Sequence, residues 1–471
     1  MVKLAMQKYK YLIKNIGLLT ISKFGSKILN FILIPLYTNL LSTMEYGTYD
    51  IYSTTISLMI PILTIQIVDG VVRFSLDESN DKAAVFSIGL KRVLISCGIV
   101  AIIVAFNTNL RIIEILAEYP LCLILMYSSE ILYSLFSQFS RGIERINDLA
   151  IAGIMNSATM LCLNILFLAK FKMGLEGYFY ANIVAYIVPT IFILIRIKAW
   201  TYIRLNTKKS LSEEMNTYSK PMVFNNLAWW VNNASDRYIV TWLCGAAENG
   251  IYSISYKIPS LLNVFQEIFS QAWTLSAVKE YDVNNSDFYT TVYEIYNFAM
   301  VLTCSCLIVV DKLIAKILFS REFYTAWMYA PFLMISVLFG SLSGLIGGIF
   351  SAAKKSDVFA KTTIFGASVN TAFNIVLVYF MGPMGAAIAT LISYILVWAA
   401  RIYEANKIVK LSINLRCDII AYCLLLVQVM ALFANVHLLW QGLGLLMPLL
   451  MILLIYNKLI KKIVQRLVRK N

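Results

Sequence analysis

Residues 220–257 read KPMVFNNLAWWVNNASDRYIVTWLCGAAENGIYSISYK, a stretch that sets amides, aromatic rings and charges inside apolar sequence. It divides into two predicted helices joined by Gly245 to Gly250. On the first, Asn225, Trp229, Asn232 and Asp236 fall at i, i+4, i+7 and i+11, and Asn226, Trp230, Asn233 and Arg237 repeat that spacing one residue later. The two rows make one broad polar face. The second helix carries Lys257 roughly ten residues, or about 15 Å, from the outer turn, close to the middle of a bilayer. Ionisable groups at that depth are costly to bury and mark a functional site by default.

The flanking sequence supplies the bilayer. Of 471 residues, 59% are hydrophobic and 14% charged, and the mean hydropathy is +0.73, which no ordinary soluble domain reaches. The fold class is therefore an all-α polytopic membrane protein. Apolar windows long enough to cross a hydrocarbon core predict about fourteen transmembrane helices, centred near residues 27, 58, 97, 127, 159, 186, 232, 260, 301, 339, 368, 394, 427 and 448. With the N-terminus inside, about 30 of the 40 Lys and Arg residues fall in inside segments, including Lys3 to Lys14, Arg196 to Lys220, Lys354 to Lys361, Arg401 to Arg416 and Lys458 to Lys470. Both termini are predicted to be cytoplasmic. The net charge of +14 is spread over these short loops, so it describes orientation and not a nucleic-acid surface. Lys23 and Lys27 interrupt the first apolar run, which is expected to remain as a span and not to be a cleaved signal.

The eight cysteines form no CxxC pair and the one histidine, His437, stands alone, so neither a metal site, a disulfide framework nor a cofactor is expected. Direct ATP hydrolysis is not expected either, because no GxxxxGK[ST] loop occurs.

A duplication organises the chain. Gly174-Leu-Glu-Gly177-Tyr-Phe-Tyr-Ala181 through Tyr186-Ile187 matches Gly382-Pro-Met-Gly385-Ala-Ala-Ile-Ala389 through Tyr394-Ile395 without gaps, at an offset of 208. Gly47-Thr-Tyr49-Asp-Ile51 answers to Gly250-Ile-Tyr252-Ser-Ile254 at an offset of 203. The expected layout is an N-lobe of six helices over 1–202, a cytoplasmic connector over 203–219, and a C-lobe of six helices over 220–410. Two further helices and a basic tail fill 411–471. Six is even, so the two lobes enter the membrane in the same sense, a parallel repeat around a central cavity. The last two spans have no counterpart and read as lipid-facing additions.

Applied to the opening stretch, the offset of 203 aligns Lys23, Lys27 and Asn30 with Asn226, Trp230 and Asn233. The candidate substrate-binding set is Lys23, Lys27, Asn30, Asn226, Trp230, Asn233, Arg237 and Lys257. Snorkelling to the inner surface explains Lys23 equally well, and pairing with a buried carboxylate is the bland alternative for Lys27, Arg237 and Lys257. Glu130 and Asp236 are the deeper carboxylates that a coupling proton or cation would use, or that would serve as those partners. For the tryptophans, packing competes with stacking on sugar rings.

Taken together, Asn15 to Gly47, Ser235-Asp236-Arg237, Gly250-Ile-Tyr252-Ser-Ile-Ser-Tyr256-Lys257, Gln271-Ala-Trp273 and Gly385 to Tyr394 resemble the oligosaccharide flippases of bacterial polysaccharide synthesis. These belong to the superfamily that also holds multidrug extruders and lipid II flippases. The resemblance implies a non-enzymatic transporter in the bacterial plasma membrane, working by alternating access. Its substrate would be a polyprenyl-pyrophosphate-linked oligosaccharide repeat unit, moved from the cytoplasmic to the outer leaflet for capsule, O-antigen or exopolysaccharide synthesis. A polysaccharide polymerase and assembly proteins are the implied partners. Cation-coupled drug export (an antiporter) and lipid II flipping on the same fold are the alternatives, with a membrane glycan polymerase or ligase as the rival from another class.

Overall fold

Helices fill nearly all of the computed structural model, which describes residues 31–279, 286–353, 355–434 and 436–468. Every predicted centre from residue 58 onward falls in a described helix; the first, near residue 27, lies outside the described residues. Among the described residues nine helices are long and apolar enough to cross a membrane, or ten if one bent pair counts as a span. The chain is a multi-pass membrane protein.

Two compact units divide it, Met1–Trp230 and Val231–Asn471. The first holds α1 (Ile34–Leu40), α2 (Thr43–Thr64), α3 (Ile67–Ser75), α4 (Lys82–Leu110), α5 (Pro120–Gly142), α6 (Ile146–Asn164) with a π-helical extension Ile165–Lys170, α7 (Gly174–Arg196) and the start of α8 (Lys209–Cys244). The second holds the rest of α8, then α9 (Ala246–Ser255), α10 (Ser260–Lys279), α11 (Ser286–Leu318), α12 (Ala330–Ala352), α13 (Ser356–Met381), α14 (Pro383–Asn406), α15 (Leu415–Phe433), α16 (Leu438–Ile455) and α17 (Asn457–Val468). The stretch read as a connector is partly helical, because α8 already begins at Lys209.

Local chemistry sets the ends. Ser42 and Glu45 form a capping box on α2, the Ser42 side chain accepting from the Glu45 N–H while Glu45 Oε2 accepts from the Ser42 N–H at 2.8 Å. Past Pro61, Ile65 and Gln66 both adopt left-handed backbone (φ 54° and 51°), and α2 meets α3 at 60°. The duplicated glycines have matching jobs. Gly174 (φ +56°) opens α7 and Gly382 (φ +60°) precedes α14, both at positive φ, and Gly177 and Gly385 stand where a side chain would collide with a neighbouring segment.

Three readings need correction. The joint after α8 is a single residue, Gly245 (φ +92°), and Gly250 lies inside α9. The second helix of the opening stretch is not continuous: Lys257 sits in a break, Tyr256 to Pro259, between α9 and α10. Pro259 has no N–H to continue the ladder, and the Ser255 and Ser260 hydroxyls instead donate to the Tyr252 and Lys257 carbonyls at 2.5 and 2.6 Å. Lastly, α15 and α16 are more than lipid-facing additions. Leu439 and Leu454 do face outward, but Tyr422, Gln428 and Tyr456 hydrogen-bond buried Asn297 and Ser305 of α11.

Candidate functional site

In the C-terminal unit the polar face of α8 is enclosed by hydroxyls. Asp236 is 2% exposed, and its Oδ2 accepts from both the Tyr252 and Tyr256 hydroxyls at 2.6 Å, while Oδ1 accepts from the Arg237 N–H at 2.9 Å. The tyrosines can converge because they lie four residues apart on and just beyond α9, with their oxygens 3.0 Å from each other. The Arg237 guanidinium carbon lies 5.2 Å from the centre of the Tyr256 ring. One turn back, Asn233 accepts from the Tyr394 hydroxyl of α14 at 2.8 Å, and Asn232 donates to the Thr363 carbonyl of α13 at 3.4 Å. Gly340 of α12 leaves room for the Tyr394 ring, since an added Cβ would come within 3.1 Å of it. Four helices thus supply one polar cluster to the face that the sequence marks.

Lys257 adjoins the cluster through Tyr256. It is half-buried, and no side chain among the described residues pairs with it. Asp236, one of the partners weighed for it, makes no ion pair with it among the described residues.

Arg401 is the residue that sequence reasoning missed. It lies near the end of α14 and was counted among the inside-loop cations, yet it is 5% exposed. Its Nε, Nη1 and Nη2 donate to Thr362 Oγ1, the Ser343 carbonyl and Thr363 Oγ1 at 3.1, 2.9 and 2.9 Å, and its guanidinium lies over Phe359 at 4.4 Å. The available signal was its spacing of seven from Tyr394, which puts both on one helix face. No carboxylate pairs with it among the described residues, so it is a buried charge held by neutral acceptors. Arg401→Lys keeps the charge but cannot serve three acceptors in the guanidinium plane. A loss of about 1–3 kcal/mol is expected, read as a lower melting temperature in detergent.

In the N-terminal unit, Trp230 donates through Nε1 to the Thr54 carbonyl at 3.1 Å and to Ser57 Oγ at 3.2 Å, so its N–H is occupied by α2. Asn226 is half-buried. Glu130 of α5 is half-buried and close enough to the Tyr49 and Tyr186 hydroxyls to interact electrostatically with both. Lys23, Lys27 and Asn30 lie outside the described residues. Among the described residues no group of three or more His, Cys, Asp or Glu side chains is placed to hold a metal.

Apolar spans with buried polar groups between them define a multi-pass membrane protein. The fold is shared with a lipid II flippase, MurJ, in an inward closed conformation (TM-score 0.67, 14% identity, 93% of this chain and 99% of that one). It is likewise shared with an inward-facing multidrug resistance MATE family transporter of the MOP superfamily (TM-score 0.66, 14% identity, 81% and 94%). The chain belongs to the polysaccharide biosynthesis protein family, whose model matches residues 12–275. It is also similar to an uncharacterized membrane protein of Methanocaldococcus jannaschii, 29% identical over 97 residues, which are 21% of this chain and only 19% of that relative's length.

Proposed function

We propose that the protein is a flippase that moves a polyprenyl-pyrophosphate-linked oligosaccharide from the cytoplasmic to the outer leaflet of a bacterial plasma membrane by alternating access. Among the described residues of the polar cluster around α8, Arg237, Lys257 and Arg401 stand against the carboxylate of Asp236, and this excess of cations is the observation that carries the reading. In a medium that screens poorly, surplus positive charge attracts an anionic head. Membership in a polysaccharide biosynthesis family supplies the sugar. Asn226 and Asn233 offer amide groups to hydroxyls, and Lys27, in the part of the chain outside the described residues, is proposed as a further cation for the pyrophosphate. A second reading, cation-coupled drug export, is favoured only by Glu130 among its tyrosines.

The test uses liposomes holding lipid-linked oligosaccharide and an impermeant sugar-oxidising reagent. Protein-dependent access of the reagent to the inner-leaflet glycan is expected. Lys257→Gln should lower that rate about tenfold; a rate equal to wild type would remove Lys257 from the head site. No transfer with several glycans, together with efflux of a small cationic dye, would replace the flippase reading with the exporter.

A further inference from the structure

At the opposite end of the N-terminal unit from the capping box, one buried carboxylate organises two arginines. Asp148 is 3% exposed and lies in the first turn of α6. Its Oδ1 accepts from Arg196 Nε at 3.0 Å, at the end of α7, and its Oδ2 stands 3.8 Å from Arg145 Nε, in the short link between α5 and α6. Both contacts use Nε. An arginine that faces its carboxylate through Nε keeps its two terminal amino groups for a second planar acceptor, and among the described residues nothing pairs with those of Arg145 or Arg196. The two side chains are 53% and 56% exposed, so the amino ends are open to the surface. Arg141 and Lys198, both exposed, flank them.

Charge and geometry converge on one ligand class. One buried carboxylate is hydrogen-bonded to Arg196 and lies in a longer 3.8 Å ion pair with Arg145, and with Arg141, Lys198 and the exposed Glu144 beside them the group keeps net positive charge. Donor pairs tethered beside one buried carboxylate suit phosphate oxygens, which accept two parallel N–H bonds from each guanidinium. The link between α5 and α6 and the end of α7 belong to one membrane surface, since α6 crosses away and α7 returns. The charge distribution of the chain places that surface in the cytoplasm.

We propose that Arg145, Asp148 and Arg196 form an entry clamp for the diphosphate of the lipid-linked substrate, engaged before the substrate reaches the interior. This rests on the flippase reading. Asp148 is a positioning residue in it, and the arginines are the ligand contacts.

The probe is undecaprenyl diphosphate without sugar, bound to the full-length protein in phosphatidylcholine nanodiscs. Arg145→Lys and Arg196→Gln should each weaken binding about tenfold, the first without changing net charge. Asp148→Asn should weaken it as well, although it makes the surface more positive, whereas plain charge attraction would strengthen it. Arg145 lies at the surface, so Arg145→Lys tests the clamp even if Asp148→Asn fails to fold. Unchanged affinity in the arginine variants, tighter binding in Asp148→Asn, or equal displacement by phosphatidylglycerol would each overturn the clamp while leaving the flippase standing. Absence of binding by the wild-type protein would also overturn the clamp, while the flippase reading stands or falls on the liposome transfer assay.

Discussion

Gly385→Ala is expected to abolish accumulation of folded protein. A methyl group at this position runs into backbone atoms of α13, the Leu377 carbonyl and the Val378 nitrogen, and not into a side chain that could swing aside. Relief would require moving α13 away from α14, two helices packed along their length and shared by the polar cluster. The loss should be about 3 kcal/mol or more, at the upper end for overpacked cores. Gly98 of α4 is the control, because nothing lies within 4 Å of its added Cβ. Gly98→Ala should be neutral or slightly stabilising, by up to about 1 kcal/mol. Size-exclusion profiles and melting curves in detergent give both answers; a monodisperse Gly385→Ala protein of normal stability would show that the two helices are not so closely apposed.

The second large effect is expected at Asp236. Asp236→Ala strips the acceptor from the Tyr252 and Tyr256 hydroxyls and removes the negative charge beside Arg237, all within an interior where Tyr252 is fully buried. Charge-assisted hydrogen bonds contribute about 1.5–3 kcal/mol each, so the loss should reach about 3–5 kcal/mol. Asp236→Asn separates structure from charge, since its amide oxygen still accepts one hydroxyl. That variant should fold, and its glycan transfer in liposomes should fall at least about tenfold if the carboxylate's charge is used in the transport cycle. Wild-type transfer by Asp236→Asn would confine Asp236 to a structural part.

The residues that spoke plainly in the sequence were those whose burial breaks a compositional rule. Asn233, Asp236 and Arg237 stood out because polar groups at helical spacing inside an apolar run have few explanations, and the structure does bring them together around one set of tyrosines. Those tyrosines were harder to see. Tyr252, Tyr256 and Tyr394 are amphipathic and suit a membrane interior with or without a partner, so their hydroxyl contacts become visible only when α9 and α14 are folded against α8. Arg401 was hidden by position: a cation near a helix end normally reaches water, and only three neutral acceptors on α12 and α13 show that this one does not. The break at Lys257 was written in Pro259, but a proline near a span end also permits a simple bend. The matched glycines Gly174 and Gly382 were legible because both take a positive φ that other residues resist.

The ties between α11 and the last two spans bear on how the chain is made. Buried Asn297 and Ser305 find their partners Tyr422, Gln428 and Tyr456 between 123 and 159 residues later in sequence. At a synthesis rate of about 5–20 residues per second, α11 waits on the order of 10 s before those groups leave the ribosome. During that interval its polar side chains have no final partner in a medium without water. The newborn protein therefore depends on its last-made helices to finish a middle one, and a ribosome stalled after α14 would leave α11 exposed to quality-control proteases.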